Sequence, residues 1–258
     1  MATKTPVRPG LDDTQLVELM SLLGGSDSVE LKLTVPAAQQ RAAIRDLGLD
    51  ALDAQIRQVM FFDTPDLALD KAGVVVRARR IQGRMGDSVI KLRPLDPEQV
   101  DGDVRRLSGF GVEVDAIPGG FVCSGRLKCE ADSDAIRKAV LGERAIRKLY
   151  SKQQRALFKA HAPDGIELDD LSVLGPIFVL KLKWQPREFA RKMVAEMWLY
   201  PDGARIFELS TKCLPPEAFD VAAEARVYLA EHGIDLSGEQ QTKTRTALEF
   251  FSSELAAG

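Results

Sequence analysis

Polar and apolar residues alternate along much of this chain with a period of two. Ser28, Glu30, Lys32 and Thr34 interleave with Val29, Leu31, Leu33 and Val35, the pattern of a strand with one apolar and one polar face. The same split sets Val179, Lys181 and Lys183 against Leu180 and Leu182, and Glu208, Ser210 and Lys212 against Phe207 and Leu209. Further strands are expected over residues 58–62, 74–79, 89–95, 112–116, 121–130, 166–171 and 193–200, and residues 150–160 read as either strand or helix, with strand favoured from 153. Asp63-Thr64-Pro65 and Tyr200-Pro201-Asp202-Gly203 read as turns that end strands.

Helical spacing is confined to the gaps and the two ends. Leu16, Leu19, Met20 and Leu23 follow a cap at Asp12 or Asp13 and stop at Gly24-Gly25. Pro36 opens a helix carrying Ala38, Ala42, Ile44 and Leu47, which Gly48 ends. Ser133 caps a helix to residue 141, and the tail carries two more near 216–232 and 239–255. No repeat or linker divides the chain. One domain is expected over 1–258: an extension with a short helix (1–27), a barrel (28–212) and C-terminal helices (213–258).

The polar faces change the picture. Solvated strands mix Thr, Ser, Lys and Glu, whereas here Arg and Lys dominate some strands and carboxylates others, such as the pairs Glu113/Asp115 and Glu167/Asp169. About eight to ten strands with apolar outer faces, plus amphipathic helices, point to a closed barrel with a charged interior. Arg77 and Arg79 share one face of a valine-rich strand, and Lys91 and Arg93 share a face of the next. The short polar link at 82–87 predicts a hairpin that brings the two pairs side by side. Like charges there repel unless an anion lies between them, so a polyanionic ligand is expected.

Bulk composition narrows the partners. The net charge of −3 argues against a general nucleic-acid binder, since the basic face is local. Three cysteines without CxxC spacing suit reduced thiols in a cytoplasm, and two histidines exclude a histidine-rich metal site. No stretch reaches the ~18 apolar residues of a membrane span.

In order along the chain, Val29-Glu30-Leu31-Lys32, the stretch from Phe62-Asp63-Thr64-Pro65 to Leu69, Val76-Arg77-Ala78-Arg79 and Val89-Ile90-Lys91-Leu92-Arg93 resemble the CYTH, or triphosphate tunnel metalloenzyme, superfamily, in particular its actinobacterial members. Ile166-Glu167-Leu168-Asp169 and Leu174-Gly175 resemble its later strands. The resemblance implies an α+β fold: an eight-stranded antiparallel closed β-barrel with helices packed on the outside. It implies a small-molecule triphosphate or polyphosphate as ligand, with Lys32, Arg77 and Arg79 catalytic and Lys91, Arg93, Arg155, Lys181 and Lys183 joining them in binding phosphate. Glu30, Glu113, Glu167, Asp169 and Glu208 would hold Mg2+ or Mn2+ for hydrolysis; Glu196 is a further acid in reach of this pattern.

Two departures accompany the likeness. The family's opening Glu-x-Glu-x-Lys has Ser28 at its first acidic position. Its closing Glu-x-Glu falls either at Lys181-Leu182-Lys183 or at Glu208-Leu209-Ser210. A binder of polyphosphate or of a phosphorylated metabolite that does not turn over is therefore the alternative, with a class IV-type adenylate cyclase behind it. The tail segment Gln241-Thr242-Lys243-Thr244-Arg245 reads as a helix face packing on the tunnel mouth.

Overall fold

The computed structural model describes residues 12–234, 240 and 243–257. The polar first ten residues, with Glu239, Gln241 and Thr242 of the expected tail helix, lie outside the described residues. Nine strands close a barrel in the order β1-β5-β6-β4-β3-β2-β7-β8-β9. They are β1 (Ser28–Val35), β2 (Gln55–Asp63), β3 (Val74–Ile81), β4 (Arg84–Leu92), β5 (Phe110–Ile117), β6 (Gly120–Ala131), β7 (Ser172–Trp184), β8 (Met193–Leu199) and β9 (Arg205–Cys213). The helices are α1 (Asp13–Gly24), α2 (Gln40–Asp46), α3 (Ala68–Lys71), α4 (Gly102–Arg105), α5 (Ser133–Val140), α6 (Lys152–His161), α7 (Ala218–Glu231) and α8 (Lys243–Ala257).

The expected eight-stranded antiparallel barrel is corrected in count and direction. An odd number of strands cannot alternate direction all the way round, so at least one neighbouring pair must run parallel. That pair is β1 and β5, with Ser28 opposite Glu113 and Glu30 opposite Asp115.

Each outer face of the barrel carries its own apolar layer. Over β2, β3, β4 and β6, Met60, Val76, Ile90 and Leu127 pack against Leu69 of α3, Ile136 of α5 and Leu157 and Phe158 of α6. Over β1, β5, β8 and β9, Leu33, Val114, Phe207 and Leu209 meet Leu19 of α1, Ala43 of α2 and Val221 of α7. A fully buried side chain such as Leu69 or Ile136 contributes about 1.5–3 kcal/mol.

Two predicted strands do not form. Residues 152–161 are α6, because Ser151 and Gln154 make a reciprocal capping box at its start. Gln154 is fully buried; its amide donates to the carbonyls of Ser88 (2.9 Å) and Leu127 (3.0 Å), fastening the helix to β4 and β6. Residues 166–171 run through a short 3-10 turn (Leu168–Asp170) before β7. The hairpin between β3 and β4 is tighter than expected: β4 begins at Arg84, and Gly83, at φ +73°, takes a left-handed conformation that glycine adopts without penalty. Among the described residues no helix is long and apolar enough to cross a membrane.

Candidate functional site

Alternation sends Glu30, Lys32, Arg57, Arg77, Arg79, Asp87, Lys91, Glu113, Asp115, Arg126, Lys128, Lys181, Glu196, Glu208 and Lys212 to the inner face, a densely charged tunnel. The charges are sorted. Strands β8, β9, β1 and β5 carry Glu196, Glu208, Glu30, Glu113 and Asp115, with lysine as the basic residue type on their inner faces. The tunnel arginines Arg126, Arg77, Arg79 and Arg57 lie on β6, β3 and β2, and the flanking β4 and β7 carry Lys91 and Lys181.

Asp115 is the centre of the acidic wall. Its carboxylate lies 2.7 Å from Lys32 Nζ, 3.3 Å from Lys91 Nζ and 3.8 Å from Arg93 Nη2. Burial pushes the Asp115 carboxyl up, but Lys32 and Lys91 outweigh it and hold the group well below the usual carboxylate range. Glu30 behaves alike: against burial, Lys32 (3.1 Å) and Lys212 (3.9 Å) hold it at about 2. Burial lowers Lys32, yet Glu30 and Asp115 raise it above an ordinary lysine. Gly73, at φ +74°, sits against Arg93; a Cβ there would lie 2.7 Å from the Arg93 carbonyl oxygen.

Where the resembled motif has its first acid, Ser28 stands opposite Glu113 and donates to its Oε2 at 3.4 Å. The neighbouring strand thus brings a carboxylate to the place that β1 leaves short. Ligand atoms of Glu30, Glu113 and Asp115 all lie within 4.8 Å of one another. Lys212 is in contact with Glu113.

Further round, Lys181 (2.6 Å) and Lys243 of α8 pair with Glu196, and Lys243 pairs with Glu208 at 2.6 Å. Trp198 Nε1 donates to Glu196 Oε2 at 3.1 Å, and the Lys243 ammonium lies 5.1 Å from the centre of the Trp198 ring. Against burial, Lys243 and Lys181 hold the Glu196 carboxyl well below its usual range.

The arginine wall is different. Arg79 makes a two-pronged pair with Asp87 (2.8 and 2.7 Å), which Lys128 approaches at 3.5 Å. Among the described residues the side chains of Arg77 and Arg126 make no hydrogen bond or ion pair, and both Nε atoms are buried. Arg57 donates to Gln55 Oε1 at 3.2 and 2.9 Å and pairs with no acid among the described residues. Burial, then the neighbouring Arg79, lowers Arg77 to about 9 and Arg57 to about 10. Burial also lowers Lys91 to about 8, because Asp115 offsets only part of the cost.

The expected residues divide accordingly. Lys32, Arg77, Arg79, Lys91, Arg93, Lys181, Glu30, Glu113 and Glu208 come together in the tunnel, and Lys183 lies exposed at its rim. Arg155 does not, since its segment is helical and it faces solvent on α6. Glu167 and Asp169 do not either: the turn before β7 holds them outside the barrel, where Asp169 pairs with Arg147. The hairpin register also differs from expectation: Arg79 faces Asp87, Arg77 faces Val89 and Val75 faces Lys91, so the two basic pairs are staggered. Sequence reasoning missed Arg57, Arg126 and Lys128 as tunnel residues; Lys243, read on a helix face packing on the tunnel mouth, reaches Glu196 and Glu208 from α8. Arg126 and Lys128 carried a usable signal, the same two-residue spacing as Arg77 and Arg79.

No protein-family model matches the chain, and no curated protein matches it. Solved structures do. A proposed adenylate cyclase from Bacillus halodurans superposes with a TM-score of 0.59 at 12% identity, over 85% of this chain and 97% of that one. A proposed adenylyl cyclase from Hippeastrum with a dominant triphosphatase activity gives 0.58 at 18% identity, over 83% and 92%. At these identities the likeness is one of fold: the chain shares the closed-barrel architecture of these two proteins.

Proposed function

We propose that the tunnel binds the triphosphate group of a small molecule and that the protein hydrolyses it with a divalent ion. The observation that carries this reading is Arg77, a guanidinium set into the tunnel wall without an acceptor among the described residues, while its neighbours Arg79, Lys32 and Lys91 each hold a carboxylate. An uncompensated buried cation is costly. Phosphate oxygens would satisfy it through the two-pronged geometry that guanidinium and phosphate share. Arg126 and Arg57 would hold further oxygens, and Lys32 and Lys91 would add point charge.

Glu30, Glu113 and Asp115 fit a hard divalent ion such as Mg2+ or Mn2+, which takes carboxylate oxygens. When bound, such an ion would neutralise phosphate charge and orient the attacking water. The chain's own part is to grip the terminal phosphoryl group through Arg77 and Arg79, where charge spreads in the transition state. The triphosphatase activity of the Hippeastrum protein, which shares the fold, supports this reading.

Incubation with inorganic triphosphate or a nucleoside triphosphate plus Mg2+ or Mn2+ should release phosphate, and Arg77→Ala should abolish release. No release from any of these substrates would sink the hydrolase reading. Production of cyclic AMP and pyrophosphate would instead mark a cyclase. A non-catalytic binder of polyphosphate or a phosphorylated metabolite is favoured by one observation: Lys212 and Lys243 already lie on Glu113, Glu196 and Glu208. Metal-independent binding without turnover would select it.

A further inference from the structure

The two ends of the tunnel are unlike. At one, Val59, Phe61, Leu174, Ile177, Trp198 and Ile206 turn apolar side chains inward, and Ala247 and Leu248 of α8 pack on them. All eight are nearly or fully buried, so this end is stopped with apolar groups that offer phosphate nothing. Anything attached to a bound triphosphate must leave through the other end.

That end holds a cavity of about 240 Å³ lined by Ile81, Arg84, Met85, Asp87, Lys128 and Glu130. It is continuous with the arginine wall, because Asp87 and Lys128 belong to both: Asp87 takes the Arg79 fork and Lys128 lies 3.5 Å from the same carboxylate. Its chemistry departs from the tunnel's. Met85 is 48% exposed and stands beside buried Ile81, giving an apolar surface at the margin of a charged site. Glu130, in register with Asp87, is exposed and adds a second carboxylate. A bare phosphate chain gains little at such a mouth: Arg84 and Lys128 are balanced by Asp87 and Glu130, and the apolar pair makes no hydrogen bond. A flat ring bearing hydroxyl or amino donors suits every group there.

Resting on the triphosphate reading, we infer that this cavity seats the nucleoside of a nucleoside triphosphate, making that class, rather than inorganic triphosphate, the preferred ligand. The ring lies on Met85 and Ile81 with the Arg84 guanidinium available to stack on its face. Sugar or amino donors reach Glu130, and the phosphates run inward past Lys128 and Arg79 to Arg77. The cavity is smaller than the ~300–1,000 Å³ of pockets that enclose a whole small ligand. Part of the head group therefore stays in water, and the bases are weakly distinguished.

The test is calorimetry on the full chain in EDTA, with ATP and with inorganic tripolyphosphate, using wild type, Met85→Ser and Glu130→Gln. Both positions are exposed, so folding is not at stake, and a thermal melt verifies this. Each substitution should weaken ATP by about three- to tenfold, the worth of one lost contact, and leave tripolyphosphate unweakened. Parallel changes in both ligands, or none, would overturn the inference, as would wild type binding tripolyphosphate more tightly than ATP. If wild type binds neither ligand, in EDTA or with Mg2+ or Mn2+ added, the triphosphate reading itself falls and this inference with it.

Discussion

The two walls of the tunnel handle charge in opposite ways. On β8, β9, β1 and β5 the carboxylates outnumber the basic groups, and Lys32, Lys212 and Lys243 are drawn onto them. On β6, β4, β3 and β2 the arginines outnumber the acids, and Arg77 and Arg126 have no partner among the described residues. The direction of each titration records the contrast: Lys32 and Lys243 are raised by their acids against burial, whereas burial lowers Arg77 and Arg57. One wall is internally neutralised, and the other keeps an excess of cations. A tunnel lined uniformly with either arrangement would favour, respectively, no anion or an intolerable repulsion.

The contrast breaks most sharply at Asp115. Asp115→Asn leaves Lys32, Lys91 and Arg93 without their shared acid, and losing one partner of a buried ion pair costs about 3–5 kcal/mol. Thermal unfolding should show that loss, and added tripolyphosphate should restore part of it. An unchanged melting temperature would mean that the acidic wall does not hold its lysines.

Arg77→Met should do the reverse. Tripolyphosphate affinity falls by roughly 1.5–3 kcal/mol, the worth of charge-assisted hydrogen bonds. The ligand-free melting temperature stays level or rises, because the substitution removes a buried cation that pairs with no acid among the described residues. Calorimetry and a melt on the same protein check both halves.

Lys91 sharpens the comparison through pH. Burial sets it at about 8, against 10.5 for an ordinary lysine, so the ligand-free protein sheds this proton at a pH where the unfolded chain keeps it. Between those values the unfolded state binds more protons, and Lys91 taken alone makes stability rise with pH. An anion beside it favours the charged form. Tripolyphosphate affinity should therefore fall as pH rises through about 8, with net proton uptake on binding near pH 8.5. Calorimetry in buffers of different ionisation heat reads that uptake directly. The smallest effect belongs to Arg155→Ala on the outer face of α6, which should alter tripolyphosphate affinity by less than about 0.5 kcal/mol.

Much of the barrel was legible because a period of two survives in the residues themselves, most plainly at 28–35 and 207–212. The strand assigned at 153–160 failed because Ser151 and Gln154 form a cap whose consequence is tertiary: Gln154 bridges α6 to Ser88 and Leu127, far away in sequence. Arg77, Arg79, Lys91 and Arg93 were readable as a basic group, but their partners were not. Only the register decides that Arg79 meets Asp87, and only the parallel contact of β1 with β5 brings Asp115 to Lys32. Lys243 was readable at the tunnel mouth but its partners were not: it enters from a helix, so strand periodicity carries no trace of its pairing with Glu196 and Glu208. Glu167 and Asp169 show the converse, since a convincing spacing led to a turn outside the barrel.

The position of the phosphates in a crystal structure of the wild-type chain with tripolyphosphate and no divalent ion tests the account most directly. The account predicts phosphate oxygens within hydrogen-bonding distance of the Arg77 and Arg126 guanidinium groups, with Lys32 still on Asp115. Phosphates held by Lys32 and Lys212, with Asp115 displaced and Arg77 untouched, would contradict it.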